Sequence, residues 1–159
     1  MALKKSKSNS TQKLTPRFWE VKPLEEMNPA EWDALCDGCG KCCLNKFQDE
    51  DSDEVFFTNV ACRYLDLRNL RCRCWEQRSE KVLDCVVLTP ELVREVNWLP
   101  QTCAYRLLAE GQPLADWHPL NSGKPGSVAA AGVSVRGKII SERDVNPDDV
   151  EEFIVQWIN

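Results

Sequence analysis

Cys36-Asp37-Gly38-Cys39-Gly40-Lys41-Cys42-Cys43 sets four cysteines into eight residues. Soft thiolates packed this densely suit zinc, copper(I) or iron–sulfur clusters. Each Cys-x-x-Cys is a bidentate chelate for a tetrahedral metal or for two corners of a cluster, and two such chelates share Cys39. Adjacent residues point apart, so Cys42 and Cys43 are not expected to bind one mononuclear metal together. The run therefore predicts two neighbouring metal sites, or one cluster beside a separate thiolate. It is not a ferredoxin run, which would continue with three residues, a Cys and a Pro, whereas Cys43 and Leu44 follow at once.

Five further cysteines follow: Cys62, Cys72, Cys74, Cys85 and Cys103. The total of nine is odd, so disulfides alone would leave one thiol over. Residues 1–16 carry Lys4, Lys5, Lys7 and Lys13 among polar residues, without an apolar stretch, and read as a flexible tail rather than a secretory signal. The expected location is the reducing cytoplasm, where structural disulfides are rare and dense cysteines mean metal. Setting Cys74 aside, Cys62, Cys72, Cys85 and Cys103 complete the run to eight thiolates, enough to fill two four-cysteine sites.

Outward from the cysteines, short helices are predicted. Asn28-Pro29 caps one that fails near Gly38 and Gly40, so the cysteine run is a helix end passing into a glycine loop. Thr89-Pro90 starts another, and Thr102 is expected to cap a third over 103–110, stopped by Gly111. Residues 55–58 suggest a short strand, 113–126 a loop, and 133–140 a small hairpin or edge strand. Asn146-Pro147 should open a C-terminal helix over 150–158. The acidic stretch 49–54 lacks the Gly and Glu that an EF-hand requires and reads as a solvated turn. The fold class that follows is α+β: an irregular, metal-stapled single domain over 17–159, with short helices, long loops and a small hairpin.

Other chemistry is excluded more easily. With His118 as the only histidine, most histidine metal sites and the usual serine triads are ruled out, and His118 itself reads as a packed loop residue. No phosphate loop, dinucleotide fingerprint, thioredoxin context or radical-SAM spacing is present. A net charge of −5 gives no bias toward nucleic acid or anionic membrane, and no apolar run is long enough to span a bilayer. Arg63, Arg71, Arg73 and Arg78 either offset the charge of thiolate centres or serve as surface charge; the first is expected, with their guanidinium groups near sulfur.

The cysteine run resembles the defining motif of the CxxCxxCC family of zinc- or iron-chelating proteins. Cys62-Arg63-Tyr64-Leu65 is similar to that family's Cys-x-x-Leu element. Cys72-Arg73-Cys74-Trp75-Glu76-Gln77-Arg78 resembles its Cys-x-x-Tyr-Glu-x-Arg element, with Trp75 in place of Tyr, and Cys85 follows. Leu99-Pro100-Gln101-Thr102-Cys103-Ala104-Tyr105-Arg106 and Trp117-His118-Pro119-Leu120 look like the bacterial YcgN-like branch. The resemblance implies a small cytoplasmic bacterial protein with a chelating site. Cys74 falls where the family pattern is apolar, which makes it the spare thiol. A related segment in flagellin lysine methylases implies an iron–sulfur cluster, although this chain carries no methyl-donor motif.

The expected metal ligands are therefore Cys36, Cys39, Cys42, Cys43, Cys62, Cys72, Cys85 and Cys103. An iron–sulfur cluster of the 4Fe–4S class is preferred and zinc is the alternative. The expected role is electron transfer, cluster handling or metal sensing. Two alternatives stand beside it: a zinc-stapled module that binds a protein partner, and a cluster-dependent redox enzyme using Cys74 or an open metal position. No nucleic-acid or membrane partner is expected.

Overall fold

A computed structural model describes residues 13–158. Of the predicted tail, residues 1–12 lie outside the described residues, as does Asn159. The architecture is α+β, and its apolar residues gather into two cores on either side of the cysteine run.

The first core is helical. Helices α1 (Phe18–Val21), α2 (Pro29–Ala34), α4 (Pro90–Glu95) and α5 (Ala104–Ala109) bring together Phe18, Leu24, Leu35, Val93, Leu99, Cys103, Tyr105 and Leu114. α3 is a single turn at Arg78–Lys81. At the start of α2, Asn28 Oδ1 accepts from Glu31 N–H at 2.9 Å, while the Glu31 carboxylate accepts from Asn28 N–H at 3.1 Å, a reciprocal cap. Glu31 is fully buried, and Lys22 Nζ at 2.9 Å and Thr15 N–H at 3.0 Å complete its partners. Burial pushes its carboxyl up, but these hydrogen bonds outweigh burial and hold the pKa at about 2. Tyr105 ties α5 to α2, its ring 4.8 Å from Trp32 and its hydroxyl donating to Trp32 O at 2.7 Å.

The second core lies on a three-stranded sheet of order β1-β2-β3. Strands β1 (Leu44–Gln48) and β2 (Val55–Ala61) form an antiparallel hairpin whose register shifts between Leu44 and Lys46. Thr58, buried within β2, donates its hydroxyl to Asn45 O at 2.7 Å across that irregularity. Asp49 closes the acidic turn by accepting from the N–H groups of Asp51 and Ser52. β3 (Ile140–Ser141) runs parallel to β2, and Leu44, Phe57, Ala61, Leu65, Val135 and Ile158 form the core.

Several expectations are corrected. The hairpin is at 44–61, not 133–140: Gly137, at a positive φ of 77°, interrupts the later run, and only Ile140–Ser141 pairs there, as an edge strand. The predicted C-terminal helix is a 3-10 helix at Pro147–Phe153, after which the chain extends. Ile154 bridges Thr58, and Val155 N–H donates to Phe57 O at 2.9 Å, so pairing with β2 and burial of Ile158 win over helix continuation. Cys103, not Thr102, is the N-cap of α5. The predicted loop over 113–126 contains a short helix, α6 (Pro119–Ser122), and a further turn, α7 (Ser127–Ala130), follows it.

Candidate metal centre

The cysteine run starts one residue beyond Leu35 of the helical core and ends one residue before Leu44 of the sheet core. Gly38 and Gly40 adopt positive φ, 72° and 84°. Gly40 has a second reason to be glycine: a Cβ there would lie 2.7 Å from Val135 Cγ2. Cys39 O accepts from Val135 N–H at 3.0 Å, which seats the loop on the sheet side.

The downstream cysteines arrive from both cores. The Trp32–Tyr105 contact places the end of α2, with Cys36, against the start of α5, with Cys103. On the other side Cys62 N–H donates to Cys43 O at 2.8 Å, and an isolated bridge pairs Leu65 with Cys72. All nine thiols are free; Cys39, Cys74 and Cys103 are buried, while Cys36 and Cys42 are exposed.

The electrostatics sort the thiols into two groups. Burial lifts Cys39 well above the ordinary thiol range. The interaction between the Cys42 and Cys103 thiols raises Cys42 and lowers Cys103, which the N–H groups of Arg106 and Tyr105 at the start of α5 lower further. Cys42 also feels Cys39 and Cys36. Burial, and then the charges of Cys62, Cys72, Cys36 and Cys85, push Cys43 up to about 12. Burial likewise raises Cys62, with Glu142 and then Cys72 and Cys85 adding to it.

Among the described residues, no three Cys, His, Asp or Glu side chains converge tightly enough to hold one metal ion as they stand. The thiols are neighbours without being closed on a centre. Their chemistry nevertheless fits a cation. Asp37 Oδ1 accepts from Cys39 N–H at 2.9 Å, but Oδ2 is buried with no partner. A carboxylate oxygen in that position is satisfied when a cation enters the thiols around it.

The counter-charges differ from those expected. Arg63 pairs with Glu142 at 2.8 Å, Arg73 with Asp66 at 3.4 Å, Arg78 stacks 3.8 Å over Trp75, and Arg71 is exposed. Carboxylates and the indole thus engage Arg63, Arg73 and Arg78, in place of the expected turn of these guanidinium groups toward sulfur; Arg63 still feels the Cys62 charge.

Lysines take that place. Lys41 is 6% exposed and reaches Thr102 Oγ1 at 3.3 Å. Lys46 Nζ donates to Leu44 O at 3.0 Å and Cys42 O at 3.3 Å, and lies 5.0 Å from the centre of the Trp98 ring. Burial lowers Lys46, while Cys42, Cys43 and Cys85 pull it back up, which places its charge between the two thiol groups. Among the described residues neither lysine pairs with a carboxylate. Neither was singled out from sequence, nor was Asp37; the available signal was a charged residue inside a thiol run. His118 is 1% exposed, its Nε2 contacting Leu35 O at 2.9 Å and its Nδ1 accepting from Leu120 N–H at 3.1 Å. Both nitrogens are thus committed to backbone.

Comparison with known proteins places this geometry in a family. The family model described as "CxxCxxCC: Putative zinc- or iron-chelating domain" matches residues 35–104, which contain all nine cysteines. A UPF0260 protein of Cellvibrio japonicus is 57% identical over 141 residues, spanning 89% of this chain and 96% of that relative. A UPF0260 protein of Rhizorhabdus wittichii is 58% identical over 138 residues, 87% of this chain and 93% of the relative. One of Sinorhizobium medicae is 54% identical over 140 residues, 88% and 90% respectively. No solved structure matches. Among the described residues no helix is long and apolar enough to cross a membrane. With identity sustained over nearly the whole of each relative and the cysteine motif intact, the chain belongs to the UPF0260 family and carries its zinc- or iron-chelating CxxCxxCC domain.

Proposed function

We propose that this protein handles iron–sulfur clusters or zinc in two neighbouring thiolate centres. Cys36, Cys39, Cys42 and Cys103 form the first; Cys43, Cys62, Cys72 and Cys85 form the second. The observation that carries this reading is the split at Cys42 and Cys43: Cys42 meets Cys103 and Cys39, whereas Cys43, whose carbonyl accepts from Cys62 N–H, meets Cys62, Cys72 and Cys85, with Cys36 common to both. Two four-thiolate centres concentrate negative charge, and Lys41 and Lys46 lie beside them without carboxylates of their own. When bound, the metal supplies the cross-link between the two cores and any electron-transfer chemistry; the protein supplies thiolates, buried cations and a loop held by Gly40.

Handling, rather than static stapling, is supported by the exposure of Cys36 and Cys42. Ligands open to solvent allow a metal to be delivered or withdrawn without unfolding. Purification without oxygen, followed by iron, sulfide and zinc analysis, tests the proposal. Iron with matching sulfide supports clusters, zinc alone supports mononuclear centres, and metal-free folded protein would contradict both. A cytoplasmic location, with no nucleic acid or membrane partner, belongs to the same proposal.

A further inference from the structure

The ninth thiol is not remote from the second group. Cys74 is 8% exposed, and its sulfur lies 3.7 Å from that of Cys72 in an S–H···S contact. Cys72 and Cys74 are two residues apart, and Cys72 is held extended by its bridge to Leu65 and by Arg73 N–H donating to Tyr64 O at 2.8 Å. Arg73 and Cys74 then turn into the 3-10 helix at Trp75, and this turn brings the two sulfurs side by side. An opening of about 310 Å³, lined by residues 72–77, gives access to this pair.

We propose that Cys74 is an exchange ligand of the second centre, able to take the coordination position of Cys72. This rests on the reading of the second group as a metal site. The separation of the two sulfurs is that of two ligands on one tetrahedral ion, so one metal is within reach of both. In the exchange the metal–Cys72 bond breaks as the metal–Cys74 bond forms. The Cys74 proton moves across the S–H···S contact to the departing Cys72 sulfur. The number of bound thiolates and the net charge are unchanged, and no oxidant is required. A thiolate waiting beside a bound metal opens an associative route for transfer, which suits handover of the metal.

The test uses the full chain loaded with zinc, with Cys72→Ser, Cys74→Ser and the double variant. The readouts are metals per chain by native mass spectrometry and the rate of zinc transfer to a chromogenic chelator. Each single variant is expected to keep the wild-type metal count, the double variant to lose one metal, and Cys74→Ser to release zinc from the second centre about tenfold more slowly. Retention of the first centre's metal in all three variants reports an intact fold. A Cys72→Ser variant that loses as much metal as the double variant would overturn the exchange role while leaving the second centre standing. A double variant that keeps every metal would overturn the second centre itself, and the exchange role with it.

Discussion

The Lys41 ammonium lies 3.3 Å from Thr102 Oγ1, so the middle of the cysteine run is anchored one residue before Cys103. Lys41 thereby links the two segments that supply the first thiol group. It also buries a positive charge that has no carboxylate partner among the described residues.

Lys41→Met keeps the length of the side chain and removes the charge. Without metal the substitution should be neutral or stabilising, because a buried, poorly paired ammonium is costly. With metal it should weaken the first centre by about tenfold or more, the scale of lost outer-shell partners, and leave the second unchanged. Competitive zinc titration and thermal melts with and without metal read both effects. Equal loss at both centres would contradict this account.

Gly40→Ala and Gly38→Ala separate two demands on the loop. Both positions have positive φ, but only Gly40 packs where a Cβ would meet Val135. Gly38→Ala should cost about 1 kcal/mol, the left-handed penalty alone. Gly40→Ala should cost about 1–3 kcal/mol more, through overpacking against Val135 and Leu70. Denaturant unfolding of the two variants measures the difference, and equal costs would remove the packing argument.

Glu31 predicts a specific acid sensitivity. Its folded pKa of about 2 lies below the ordinary 4.5, so its contribution to stability is fully present above pH 4.5 and is lost as pH falls toward 2. Glu31→Gln should be less stable than wild type at neutral pH, with the gap narrowing across that window. A gap constant with pH would show that the carboxylate charge contributes nothing.

His118→Ala should lower stability by about 1–3 kcal/mol, since Leu35 O loses its buried partner. The metal content should not change, because neither ring nitrogen is free. Elemental analysis of the variant checks this, and depletion of metal would make His118 a ligand.

Much of the helical half was legible in the sequence, because Asn28-Pro29 and Thr89-Pro90 are local cap signals that the structure satisfies with hydrogen bonds. The cysteine loop was legible for a similar reason: Gly38 and Gly40 fix it locally. The sheet was less so. Pairing of Val60 with Ile140 and of Thr58 with Ile154 spans most of the chain, and no local pattern encodes it. That pairing is also what turned the expected C-terminal helix into a 3-10 turn and an extended tail. In the candidate centre the thiols were visible as residues, but their grouping depends on which core delivers each one. The role expected for Arg63 and Arg73 gave way to ion pairs with Glu142, distant in sequence, and Asp66, which no local pattern encodes.

The most direct test counts metals per chain in the wild type, Cys39→Ser and Cys62→Ser by native mass spectrometry, after loading without oxygen. Cys39 belongs to the first thiol group and Cys62 to the second. Two separate centres predict that each variant loses one centre and keeps the other, with the two variants retaining different ones. Loss of all metal in either single variant would mean one shared centre and would contradict the account.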